Sequence, residues 1–239
     1  AVATALHLAL AARTGHYDEL RDAARGKALP QHWQSFFAHL GPAGFSDLDE
    51  RADAVARQIR ENGITYNIYA DADGPTRLWS LDLLPFIIPD HEWQGLEAGL
   101  TQRATLLNRI VADIYGPQQL LTEGLVPSAL VYGHPGYLRA LCGFRPPGDT
   151  YLHLVAFDLA RAPDGKWWVV SQRTQAPSGM GYALENRLAI SNLFNEAFHE
   201  LRVQHLVASY RTLVDMLYRL SPLNLAPGTP PRIVLLAPG

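Results

Sequence analysis

A strand, a tight turn, a second strand and a glycine-bearing loop opening into a helix follow one another across residues 151–187, YLHLVAFDLARAPDGKWWVVSQRTQAPSGMGYALENR. Asp164-Gly165 fixes the turn, because short hairpin connections need backbone angles that glycine adopts without strain. Residues 151–159 and 166–171 are then antiparallel strands turning at 162–165, and a helix is expected from near Gly181 to Leu201. This order can set an acidic strand residue (Asp158), basic groups (Arg161, Arg173) and a helix entrance beside one another.

The flanking segments ask for helices and one more hairpin. Residues 3–12 read as alanine-rich helix, and 32–40 places Trp33, Phe36, Phe37 and Leu40 on one face. A helix over 46–61 starts behind Ser46 and Asp47 and ends at Gly63, with Leu48, Ala52, Val55 and Ile59 as its apolar stripe. Alternation and β-branched or aromatic residues mark 64–70 as a strand, joined through a 71–76 turn to a second strand at 78–83. Asp90 caps the longest helix, 90–115. Its Trp93, Leu96, Leu100, Leu107, Ile110, Val111 and Ile114 form a core stripe that Gly116-Pro117 ends. Short helices at 118–123 and 127–132, loop over 133–149, a helix over 204–220 and a proline-bearing linker over 221–231 complete the pattern.

The sum is an α+β chain. A helical N-terminal region covers 1–62, β-hairpins packed with helices cover 63–222, and 223–239 supply a linker and a final strand that opens a further α/β unit. Alanine at position 1, and a terminal strand with no crossover helix behind it, imply a segment of a longer protein.

Composition excludes several classes. A chain of 239 residues with 48% hydrophobic and 18% charged residues is globular and large enough to bury a core. Its net charge of −3 lacks the basic field that nucleic acid or an anionic membrane requires. No apolar run approaches the roughly 20 residues of a transmembrane helix. The single cysteine, Cys142, permits no intramolecular disulfide or Cys-based zinc cluster and fits a reducing cytoplasm. Its neighbours Leu141 and Phe144 favour an inert buried thiol.

Asp158 shares a strand face with Leu152, Leu154 and Ala156, while His153, Val155, Phe157 and Leu159 share the other. A carboxylate on a half-buried face is costly unless it is paired or bound to a cation. Asp158 is therefore a magnesium-linked ligand, half of an ion pair with Arg161 or Arg173, or a strand-end residue near water. Trp167 and Trp168 point to opposite faces, either packing on both sides or with one covering a pocket. Ser178, Gly179 and Gly181 lead into first turns that carry Tyr182, Glu185, Asn186 and Arg187. Free backbone N–H groups at such an entrance bind anions and glycines admit phosphate; the alternative is Ser178 as an ordinary cap. The spacing fits neither GxxxxGKS nor GxGxxG. The nine histidines never reach HxxxH spacing, and no serine has a GxSxG context. Arg139 and Arg145 bracket the loop near Cys142, as an anion clamp or as solvated charges.

Taken as a set, ENGITYNIY (61–69), LDLLPFII (81–88), EWQGLEAGLTQRATLLNRIVADIYG (92–116), FDLAR, DGKWWVV, QAPSGMGYALENR and the closing VLLAPG resemble the circularly permuted ATP-grasp proteins related to glutathionylspermidine synthase. The resemblance covers nearly everything from Trp33 to Gly239. It implies an ATP-grasp-like half of an amide-bond ligase, in which ATP phosphorylates a carboxylate and an amine attacks the acyl phosphate. It also implies ATP and Mg2+ as cofactors, small-molecule or peptide carboxylate and amine substrates, and the remainder of the same polypeptide as partner. Carried onto this sequence, it makes Asp158 and Glu185 candidate metal ligands. Ser178, Gly179, Gly181, Tyr182 and Asn186 become candidate nucleotide contacts, and Arg173 and Arg187 candidate catalytic residues.

The match has departures. The family's metal-binding pattern looks like an Asp on one strand, Glu-x-Asn on the next, and a Thr-Pro loop. Asp158 matches the Asp, but Ser171 and Arg173 stand at the Glu and Asn places and Ala176 at the Thr. Ala156 replaces an arginine two residues before the Asp. Three accounts fit: the site has shifted onto Glu185 or Asn186, Arg173 substitutes for one magnesium charge, or the domain binds without catalysing. The last would leave a scaffold module presenting helices within 1–62 and 90–115 to a partner. An unrelated sensor of small anions is a further alternative.

Overall fold

Trp33, Phe36 and Leu40 recur at three- and four-residue spacing, which gathers them on one side of a helix. In the computed structural model, which describes residues 15–20, 28–40, 46–63, 65–66, 77–175, 177–221 and 228–234, α1 spans Gln31–Ala38 and all three are buried. α2 spans Leu48–Glu61. Val55 and Ile59 of its stripe are buried, but Ala52 is exposed. Asp47 makes no side-chain cap bond. Its carboxylate pairs instead with Arg51 at 2.9 Å, and that guanidinium also donates to the carbonyls of Leu40 and Leu193.

β1 (Thr65–Tyr66) pairs antiparallel with β2 (Arg77–Leu78). The expected strand over 78–83 stops at Leu78: Trp79 stacks its indole on Tyr182, and 79–89 is not strand. The rest of that hairpin, 67–76, lies outside the described residues, as does the expected helix over 3–12.

α3 spans Asp90–Tyr115, 26 residues and about 39 Å long. Pro89, not Asp90, holds its N-cap position. Its apolar stripe is not core: no residue of α3 is buried, and Trp93, Leu96 and Leu100 are half-buried. One two-stranded hairpin and short turns are too little to bury one face of so long a helix within their own unit. α4 (Gln119–Thr122) and α5 (Ser128–Tyr132) follow. The Asp113 carboxylate accepts from the backbone N–H groups of Gln119 (3.0 Å) and Leu120 (2.9 Å), tying α4 to the end of α3.

β3 (Ala156–Arg161) and β4 (Trp167–Arg173) form the second hairpin, with the expected turn closed by the Ala162 N–H on the Lys166 carbonyl at 2.8 Å. Gly165 there has φ +85°, which favours glycine. β3 begins at Ala156 and not at Tyr151, because the Asn108 side chain takes the N–H groups of Tyr151 (2.8 Å) and Leu152 (3.0 Å) in place of a strand neighbour.

The helix expected over 181–201 is two helices, α6 (Met180–Leu193) and α7 (Asn195–Glu200). Phe194 breaks it with φ −123° and ψ 48°, and its buried ring meets Phe36 edge-on at 5.3 Å. α8 spans Val207–Arg219. Residues 231–234 pair with no strand, and 235–239 lie outside the described residues.

The chain divides into two compact units, residues 1–88 with 179–219 and 228–239, and residues 89–178 with 220–227. The first is built on the cluster of Trp33, Phe36, Leu40, Phe194 and Ala197. The second contains α3 and the β3–β4 hairpin. Helices with two antiparallel two-stranded sheets make the described structure α+β. Among the described residues, no helix is long and apolar enough to cross a membrane.

Candidate functional site

The turn end of the β3–β4 hairpin is fastened to α3. Arg161 Nη2 donates to Glu92 Oε1 at 2.9 Å, Trp167 Nε1 donates to Glu92 Oε2 at 3.0 Å, and Arg161 Nε donates to the Gly165 carbonyl. The guanidinium lies over the Trp167 ring, 5.2 Å from its centroid. Both charged side chains are largely covered, with 11% of Arg161 and 22% of Glu92 exposed. Arg161 is therefore not the partner of Asp158. Nothing local marks Glu92 for this role, which needs a contact across 69 positions.

Asp158 sits at the other end, opposite Ser171 in register. The register slips after this pair, Leu159 facing Val169, so Val170 is an extra residue on β4 and forms a bulge. Asp158, Ser171 and Arg173 come together there: Arg173 Nη2 donates to Asp158 Oδ1 at 2.6 Å, and Ser171 Oγ donates to Asp158 Oδ2. The ion pair is open to solvent, with 61% of Arg173 and 44% of Asp158 exposed.

These residues do not fit a divalent cation. Magnesium demands about six oxygen ligands at close to 2.1 Å. The hairpin offers one carboxylate whose two oxygens are already engaged, one hydroxyl, and a guanidinium where a cation would stand. Among the described residues, no three His, Cys, Asp or Glu side chains gather in a metal-binding group.

The remaining candidates surround the start of α6. Gly179 takes φ +108° to turn the chain into the helix, and no side chain caps it, so Ser178 is not the ordinary cap. Tyr182 stacks on Trp79 at 4.6 Å between centroids, and Asn186 Oδ1 accepts from Trp79 Nε1 at 2.8 Å. The Arg187 guanidinium lies 5.7 Å from the Phe198 ring centroid, and burial lowers its pKa from the ordinary arginine range. Asp158, Arg173 and Ser178 belong to one unit; Gly179, Gly181, Tyr182, Glu185, Asn186 and Arg187 belong to the other.

A groove of about 790 Å³ runs between α3 and the hairpin, beside Gly95, Gly99, Arg103, Leu159 and Trp168. Trp167 and Trp168 both line it, and none of the candidate metal, nucleotide or catalytic residues does. Trp168 is 62% exposed, so the adjacent tryptophans divide as one packed and one open side chain. Cys142 is exposed, contrary to the buried thiol expected from Leu141 and Phe144, which are themselves exposed. Its sulfur lies 2.9 Å from the Tyr137 hydroxyl, and that hydrogen bond raises the phenol's pKa above its ordinary value. Among the described residues, Arg145 makes an exposed 4.0 Å contact with Asp149.

Comparison with known proteins bears on this arrangement. The family model for circularly permuted ATP-grasp type 2 matches residues 85–239, which takes in the hairpin, the glycine-bearing loop and α6. An uncharacterised protein of Mycobacterium tuberculosis is 36% identical over 233 residues, covering 93% of this chain and 26% of the relative. An uncharacterised protein of Synechocystis is 37% identical over 225 residues, covering 93% of this chain and 45% of the relative. One of Mycobacterium leprae is 33% identical over 223 residues, covering 93% and 38%. The chain thus spans less than half the length of these curated relatives. With the family model matching well over half of its residues, the chain belongs to the circularly permuted ATP-grasp family, type 2.

Proposed function

We propose that this chain is the N-terminal part of an ATP-dependent carboxylate–amine ligase related to glutathionylspermidine synthase, acting in the cytoplasm on small-molecule or peptide carboxylates and amines. The observation that carries the reading is the family match across residues 85–239, which includes both the hairpin and the start of α6. In such a reaction the carboxylate oxygen takes the terminal phosphoryl group of ATP, ADP leaves, and the amine displaces phosphate from the acyl carbon.

The roles proposed for this chain's residues follow from their chemistry. Backbone N–H groups behind Ser178, Gly179 and Gly181 hold phosphate oxygens where no side chain caps the helix. Tyr182 and Asn186 position the nucleotide around Trp79. Arg187 supplies positive charge to the phosphoryl group as negative charge develops, and Arg173, in the other unit, supplies it to an oxyanion at the hairpin. Asp158 holds Arg173, which leaves Glu185 as the remaining acidic candidate; Mg2+, which the family implies, would need its ligands from outside the hairpin.

The test is ADP and phosphate release by the full-length protein in the presence of candidate acids and amines, with ATP affinity measured by calorimetry. Release that requires both co-substrates, and ATP binding weakened about tenfold by Arg187→Ala, is expected. Absence of ATP binding by the folded full-length protein would refute the reading. The Arg173–Asp158 pair favours a second one, a non-catalytic ATP-grasp module that binds and presents a surface. ATP binding without turnover across a broad acid and amine panel would select it.

A further inference from the structure

We propose that the bulged end of the β3–β4 hairpin is a metal-excluding oxyanion site, in which Arg173 is the resident cation and Asp158 its positioning residue. Asp158 and Ser171 face each other across the ladder, and the bulge at Val170 restores Ser171 and Arg173 to the side where Asp158 lies. Asp158 Oδ1 holds one guanidinium nitrogen at 2.6 Å and Oδ2 is closed by the Ser171 hydroxyl. A divalent ion entering here would have to displace the guanidinium, break the hydroxyl contact and find further oxygen donors, which the described residues do not gather.

The guanidinium has five N–H donors in a rigid fork. Among the described residues its charged contact is with Asp158, through one nitrogen, on a side chain that is 61% exposed. A guanidinium presented in this manner, its direction biased but not locked by Asp158, recognises a planar or tetrahedral oxyanion, a carboxylate or a phosphoryl group, without dehydrating a metal ion. That the oxyanion belongs to a nucleotide rests on the function proposed above; the exclusion of metal does not.

The experiment uses the full-length protein, first stripped of metal. Manganese is titrated without nucleotide and followed by electron paramagnetic resonance, comparing wild type, Asp158→Asn, Ser171→Glu/Arg173→Asn, and the triple variant combining all three changes. The same manganese stoichiometry and affinity in wild type and Asp158→Asn is expected. The double variant, which adds a carboxylate and removes the cation, gains one site per chain, and the triple variant loses it again. Loss of a manganese ion in Asp158→Asn, or affinity at least tenfold weaker, overturns metal exclusion. So does a folded double variant that gains no site. If the double variant does not fold, the Asp158→Asn comparison still decides, because that residue is exposed enough for the change to be tolerated.

The oxyanion half is read by calorimetry with inorganic pyrophosphate in EDTA. Binding by wild type that weakens about tenfold in Arg173→Ala supports it; no binding, or equal binding by both, overturns it. Failure of ATP turnover alone refutes the ligase reading and leaves these outcomes intact.

Discussion

The β3–β4 hairpin carries the same kind of pair at each end, an arginine on a carboxylate, and the two do opposite work. Near the turn, Arg161 and Glu92 approach to 2.9 Å with 11% and 22% of their side chains exposed, and a tryptophan N–H takes the second carboxylate oxygen. At the far end, Arg173 and Asp158 are closer, at 2.6 Å, but 61% and 44% exposed. Distance does not separate them; burial does. A covered pair that loses one partner leaves a charge with little water to solvate it, whereas an exposed pair exchanges its partner for solvent at almost no cost. The first end is therefore read as an anchor. The second is free to serve recognition, since little of the fold depends on it.

The sharpest way to break this contrast is Glu92→Ala. It removes the carboxylate from a mostly covered guanidinium and from the Trp167 N–H together, and should destabilise the unit holding α3 and the hairpin by about 3 kcal/mol. Chemical denaturation checks the value, and faster amide exchange along β3 and β4 checks the place. A loss below about 1 kcal/mol would put this pair in the class of surface ion pairs and erase the distinction. Trp167→Phe is the milder probe. It keeps the ring under Arg161 but deletes the N–H to Glu92, so about 1 kcal/mol is expected. Equal effects from the two substitutions would mean that ring packing, not the carboxylate, fastens the hairpin.

What could be read from the sequence divides along a related line. The turn at 162–165 was legible because Asp-Gly imposes its geometry locally, and α3 because its period and its Gly116 stop are local too. The start of β3 was not, because Asn108, 43 positions before Tyr151, claims the backbone that a strand partner would have taken. The break at Phe194 follows from the packing of its ring on Phe36, which no helical propensity contains. Residue type alone also misplaced Cys142, since apolar neighbours in sequence do not guarantee cover in space. For the candidate site, the sequence offered Arg161 and Arg173 as alternative partners of Asp158. The choice depended on Glu92, which captures Arg161 from 69 positions away. Two residues within the motifs that resemble the family, Asn108 and Asp113, hold backbone N–H groups in this chain.

The smallest expected effect tests the exposed end. Arg173→Ala and Asp158→Asn should each change stability by no more than about 0.5 kcal/mol, and a double-mutant cycle between them should give a coupling of similar size. Because both groups face water, raising the salt concentration should shrink that coupling further, while the Glu92–Arg161 coupling changes little. Denaturation of the members of both cycles, Arg173/Asp158 and Glu92/Arg161, at low and high salt measures the two couplings. A coupling above about 2 kcal/mol, insensitive to salt, would make the outer pair an anchor like the inner one. Its hold on the hairpin would then account for Arg173, and an oxyanion role would lose the freedom on which it depends.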